Sequence, residues 1–208
     1  MLRRVLAVLV LAALLAAPAS AGGLDIQVKD VRAAASAVRT AVELRDIIPE
    51  RFRRLLDEGS TLHLRVQTEL WESRPVWDRL VYPAIVKVFR VGRSASTRDV
   101  TIADATAAGT AAQPLRNPLP VLVDLGEANR VAATEKYYVH VIATLGTLAD
   151  RDVDEAGDAV FGRESEANGL GALGRMVFRT ALKVSDYLQS VSAETKSRKV
   201  DGRDIIRP

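Results

Sequence analysis

From Leu62 to Trp71 the chain changes character at every step. Leu62, Leu64, Val66, Thr68 and Leu70 alternate with His63, Arg65, Gln67, Glu69 and Trp71. A period of two places one row on each face of an extended strand, whereas a helix would mix the two rows. The same alternation returns in Tyr137, Val139, Val141, Ala143 and Leu145. Two strands of this kind, distant in sequence, require a sheet with one face covered, which an antiparallel arrangement supplies.

Weaker signals fill in the rest. Leu24, Ile26 and Val28 alternate with polar residues and predict a first strand. Val38, Thr40, Val42 and Leu44 predict a second, preferred over an Ala-rich helix because β-branched residues share a face. Pro49 to Glu58 reads as a short helix with Phe52, Leu55 and Leu56 on one side and Gly59 as its stop. After the turn at Ser73-Arg74-Pro75, strand is expected over 76–82, 85–91 and 97–103, with a turn at Gly92-Arg93-Ser94. Pro83 forces a bulge or an edge position. Residues 104–120 predict a surface loop. Residues 121–125 are apolar but of undecided type. From Leu170 the period changes: Leu170, Leu173, Val177, Ala181, Val184, Leu188 and Val191 recur every three or four residues, as in an amphipathic helix.

The expected fold is α+β and mostly β. It has antiparallel, sandwich-like sheet layers of about six to seven strands, a short helix after the second strand and a long C-terminal helix. The expected organisation is a signal peptide over 1–21, a β-rich domain over 22–162, the amphipathic helix over 163–192 and a polar, frayed tail over 193–208.

The N-terminal assignment rests on three adjacent parts. Met1-Leu2-Arg3-Arg4 is basic, residues 5–17 are an unbroken apolar run of 13, and Ala19-Ser20-Ala21 after Pro18 suits a signal peptidase. The run is short for a membrane span, which needs about 20 residues. Export to the periplasm or cell envelope is therefore expected, with cleavage after Ala21. The whole chain carries 29 basic and 26 acidic residues, a net +3. Removing Arg3 and Arg4 leaves 27 basic residues, so the exported part is nearly neutral. That disfavours nucleic acid as a partner. A chain 48% hydrophobic is too apolar for disorder, and the absence of Cys excludes lipoprotein acylation and disulfide stapling.

The order of motifs resembles the bacterial domain of unknown function family 4390. The matching residues run from Leu44-Arg45-Asp46 through Pro49-Glu50-Arg51-Phe52 and Leu55-Leu56-Asp57-Glu58-Gly59. They continue through the strand from Thr61 to Leu70, Trp77-Asp78-Arg79 and Val88-Phe89-Arg90-Val91, and end at Glu135-Lys136-Tyr137-Tyr138-Val139. The resemblance covers roughly residues 24 to 148. It implies an exported protein without a known activity, often encoded near a membrane sensor histidine kinase, and it carries over no catalytic residue. The chain departs from the family after Leu170, where a short polar ending containing Trp would be expected.

Several patterns resemble chemical sites without meeting their requirements. Gly169, Gly171 and Gly174 match G-x-G-x-x-G, but the preceding residues 163–168 are polar, so the strand that a dinucleotide site needs is missing. Asp150, Asp152 and Asp154 open like a weak calcium loop, yet Glu155 stands where Gly is required and Phe161 where the bidentate Glu belongs. His63 and His140 lie opposite the more apolar rows of their strands, as surface or interface histidines would. Trp71, Trp77, Tyr82, Tyr137 and Tyr138 suit core packing better than a ligand groove. No catalytic, cofactor or metal residue is assigned.

The most suggestive feature is on the last helix. Arg175, Arg179 and Lys183 form a basic row beside Met176, Val177 and Phe178. The favoured reading packs that stripe on the half-covered sheet with the basic row in solvent, and the alternative presents it to a partner or an anionic membrane surface. The functional expectation is a non-enzymatic binding domain of the cell envelope for a membrane-protein partner. A carrier of a lipid or other apolar ligand and a carboxylate-dependent periplasmic hydrolase are the alternatives.

Overall fold

The computed structural model describes residues 23–105, 110–147 and 190–207. Strands β1 (Asp25–Ala34) and β2 (Ala37–Arg45) form an antiparallel hairpin, and helix α1 (Glu50–Asp57) follows. Then come β3 (Leu62–Ser73), β4 (Arg79–Leu80), β5 (Ile85–Arg93), β6 (Val100–Asp104), β7 (Gln113–Pro114), β8 (Leu119–Glu127) and β9 (Lys136–Gly146). The last elements are β10 (Val191–Lys196), β11 (Val200–Asp201) and the short helix α2 (Gly202–Ile206).

Two antiparallel sheets result. The smaller has the order β1-β2-β8 and the larger β10-β9-β3-β5-β6-β7, with β4 beside β3 and β11 beside β9. The mostly β, sandwich-like expectation holds. The strand count rises above six to seven because of the two-residue bridges and the two strands at 119–127 and 191–196.

The alternation that predicted the sheet also builds the core. Along β3, Leu62, Leu64, Val66, Thr68, Leu70 and Glu72 are all buried, and the intervening residues are not. Tyr137, Val139, Val141, Ala143 and Leu145 of β9 continue the same face. Val38, Val42 and Leu44 of β2 and Val121, Val123 and Leu125 of β8 close over it in one apolar cluster. Each fully buried aliphatic side chain contributes about 1.5–3 kcal/mol relative to exposure. Helix α1 adds Phe52 and Leu56 and ends before Gly59, whose φ of 88° suits a residue without Cβ.

Three local expectations change. Only Arg79–Leu80 is strand in the stretch 76–82, since Pro75 cannot donate to a ladder and the Asp78 side chain draws the backbone of Arg74 into a turn. The undecided segment 121–125 lies inside β8, which pairs with β2. Strand β5 runs through Arg93, and the turn comes later, where the Arg98 amide donates to Ser94 O.

The C-terminal reading needs correction. Val191 and Ser192, expected to end the long helix, begin β10, and the tail expected to fray over 193–208 continues that strand along β9. The free edge of β9 supplies the hydrogen bonds. Val191, Ala193 and Val200 pack on the core, and Ile205 is fully buried. Short alternation among polar residues concealed this edge strand. The rest of the expected helix lies outside the described residues.

Candidate functional site

Strand β3 carries its buried row one step further than apolar residues could. Glu72 occupies the last inward position and is 4% exposed. Arg74 Nε donates to Glu72 Oε1 at 2.5 Å, and Arg79 Nη2 and Nε donate to Oε2 at 2.5 and 3.2 Å. Burial pushes this carboxyl up, but the bonds from the two arginines outweigh it and hold Glu72 below the usual range. Both arginines sit on the same excursion of chain, one on each side of residues 75–78. The buried acid therefore clamps the two legs of a turn together.

Asp78 fixes the top of that turn. Its Oδ1 accepts the Arg74 backbone N–H at 3.0 Å, and its Oδ2 accepts the Tyr138 hydroxyl at 2.8 Å. The Arg74 amide, then Tyr138, hold Asp78 below its ordinary value, and Lys199 and Lys196 add to the effect. Burial, reinforced by Asp78, pushes the Tyr138 phenol up to about 12. The chain returns to the sheet with Glu72 opposite Arg79, Trp71 opposite Leu80, and Val81 N–H donating to Leu70 O at 2.9 Å.

The apex of this pinned turn is apolar. Val76 is 78% and Trp77 82% exposed, with Leu80 also exposed on the returning leg. Single exposed apolar residues are common, but a Trp and a Val adjacent on a held turn make a contact patch. Little ordering entropy remains to be lost when such a patch meets a partner.

A second polar cluster adjoins its base, on the outward face of β3, β9 and β10. Glu69 accepts from Gln67 Nε2 at 2.7 Å and from Trp71 Nε1 at 2.8 Å. His140 Nδ1 lies 3.0 Å from Glu69 Oε2, and its Nε2 lies 2.8 Å from Glu194 Oε1. Burial pushes the Glu69 carboxyl up, and its bonds to His140, Trp71 and Gln67 bring it below the ordinary range. Both ring nitrogens of His140 have a carboxylate partner. His140 thus ties three strands together, a role its outward position in the sequence did not reveal. His63 lies on the same face, opposite Arg90 of β5 and Gly146 of β9.

The described residues also line surface clefts. One of about 720 Å³ lies beside the start of α1, where Ile47, Ile48 and Leu115 share the lining with Arg53, Arg93 and Arg116 and with Asp46, Glu50 and Asp99. Another, about 480 Å³, lies between the edges β1 and β10 and includes Lys29, Lys196 and Arg198. Among the described residues, no group of three or more His, Cys, Asp or Glu is placed to hold a metal ion, and no helix is long and apolar enough to cross a membrane.

No family model, curated protein or solved structure matches the chain.

The residues singled out from sequence are distributed unevenly. Asp150, Asp152 and Asp154 of the calcium-like pattern lie outside the described residues, as do Arg175, Met176, Phe178, Arg179 and Lys183. The aromatic expectation holds for Tyr82 and Tyr137, which are buried, and fails for Trp77. Its exposure had a local signal: Arg74-Pro75 followed by Asp78 is a turn sequence, and a residue at the apex of a turn is held away from the core.

Proposed function

We propose that this chain is an exported, non-enzymatic binding module of the cell envelope that meets a membrane component through the Val76-Trp77 turn. The observation that carries this reading is Trp77, a large aromatic side chain presented to solvent on a turn held by Glu72 and Asp78. Aromatic anchors that are rigid before contact contribute strongly to binding. The membrane-protein partner expected from the sequence falls within this reading.

The two carboxylates held on β3 give no hydrolytic pair, and the acids that share a cleft, Asp46, Glu50 and Asp99, are all exposed. A glycosidase-like pair would need two acids facing one cleft. Glu69 and Glu72 lie on opposite faces of β3, and each oxygen of both already has a donor within 3.2 Å. The lipid-carrier alternative finds less support, because the cleft beside α1 is open and lined by the charged residues Asp46, Glu50, Asp99, Arg53, Arg93 and Arg116.

The test is a photo-crosslinking amino acid at position 77 of the full chain in intact cells. Illumination is expected to attach the protein to a component of the membrane fraction. The same group at Leu122, which is 70% exposed on the other sheet, supplies the control. Equal labelling from the two positions would overturn the proposal.

A further inference from the structure

His140 stands on the outward face of β9, in a row that crosses three strands. Its register partners are Glu69 of β3 and Lys196 of β10. Its Nδ1 lies 3.0 Å from Glu69 Oε2, and its Nε2 lies 2.8 Å from Glu194 Oε1. The ring therefore joins a strand inside the large sheet to the strand at its edge.

The two ends of that link differ. The Glu69 side chain is 12% exposed and is also bonded by Gln67 and Trp71, which hold it in place. The Glu194 side chain is 60% exposed and can turn to water. Strand β10 is itself lightly held, since its inward residues Val191, Ala193 and Thr195 are only half-buried.

An imidazole ring has two N–H donors when protonated and one when neutral. Two carboxylates are both acceptors, so only the protonated ring bonds both. A neutral ring turns one lone pair toward a carboxylate oxygen, and the exposed partner is the one free to leave. Two further groups face the ring. Lys196 of β10 is one, its Nζ 5.7 Å from the centre of the Tyr138 ring. Tyr138 of β9 is the other, its hydroxyl bonded to Asp78. Lys196 opposes a charge on the ring, whereas Glu69 and Glu194, both within 3.0 Å, favour it.

We infer that His140 is a pH-sensitive latch for the C-terminal edge strand: the protonated ring bridges Glu69 and Glu194 and holds β10 to the sheet, and loss of one ring proton to water frees Glu194 and loosens β10. This device does not rest on the binding reading above.

Histidine in water changes charge at about pH 6.5, so the full-length protein is compared at about pH 5.5 and about pH 8. Amide hydrogen exchange is read as protection factors, which removes the intrinsic dependence of exchange on pH. The amides of β10 are expected to lose about tenfold in protection at the higher pH, the effect of losing one hydrogen bond to a charged group. Those of the β1–β2 hairpin should keep theirs. Glu194→Gln supplies an amide N–H that a neutral ring nitrogen can accept, so this variant should hold β10 equally at both pH values. His140→Gln should show no difference between them either. Glu194 is exposed, so Glu194→Gln keeps the fold and decides the matter should His140→Gln fail to fold. His63, the other histidine, lies opposite Gly146 at the far end of β3 and is present in both variants.

Equal protection of β10 in the wild type at the two pH values would overturn the inference. A wild-type response retained in Glu194→Gln would also overturn it, by placing the titrating group elsewhere. Protection lost evenly across the whole molecule would overturn it as well, since the latch acts on one strand.

Discussion

The hydroxyl of Tyr138 donates to the carboxylate of Asp78 at 2.8 Å, across 60 residues of sequence. One partner is buried in the large sheet and the other heads a solvent-facing turn. This bond fastens the exposed Trp77 to the rigid part of the molecule.

Substituting Asp78→Asn should lower the pKa of Tyr138 from about 12 toward the ordinary phenol value, because a neighbouring negative charge opposes formation of phenolate. Absorbance titration of the tyrosines checks this. An unchanged high-pH transition would show that burial alone holds the phenol up.

Acid should loosen the clamp at Glu72. Its folded-state pKa and that of Glu69 lie below the ordinary glutamate value. Their contribution to stability is therefore complete above that value and is lost as pH falls through the folded values. Urea midpoints measured from about pH 6 to about pH 3 should fall less steeply for Glu72→Gln than for the wild type. Near neutral pH the same variant should lose about 1.5–3 kcal/mol, the usual worth of hydrogen bonds to a charged group.

Strand β8 offers an internal comparison. Leu125 is 3% exposed and Leu122 is 70% exposed. Leu125→Ala should cost about 2–5 kcal/mol through loss of burial and the cavity left behind. Leu122→Ala should change stability by no more than about 0.5 kcal/mol. Denaturant unfolding of the two variants checks the assigned register, and similar losses would contradict it.

The C-terminal end should behave as core. Ile205→Ala is expected to cost about 2–5 kcal/mol despite its place among polar residues. Gly202→Ala should also destabilise, since a Cβ there would collide with the carbonyl of Ala132. Thermal melts near the wild-type value for both would mean that the tail is not docked.

The strands were legible wherever alternation was long. β3 and β9 each repeat their pattern over about ten residues, enough for periodicity alone to name the buried row. The 121–125 stretch was too short for its type to be read, and pairing with β2 decided it. Residues 191–196 alternate too, but with small and polar inward residues, so composition suggested a tail and the free edge of β9 made it a strand.

The candidate site was less legible for a related reason. Trp77 looks like a core residue because aromatic side chains usually are buried, and its exposure depends on Glu72, Asp78 and Tyr138 meeting in space. The sequence by itself determined the β character, the inward row of each long strand and the short helix before Gly59. These follow from local periodicity and backbone preference. Only the tertiary structure decided which edges were free to pair, which acid was buried between two arginines and which aromatic was left outside. Those outcomes depend on contacts between residues far apart in the chain, which no local pattern encodes.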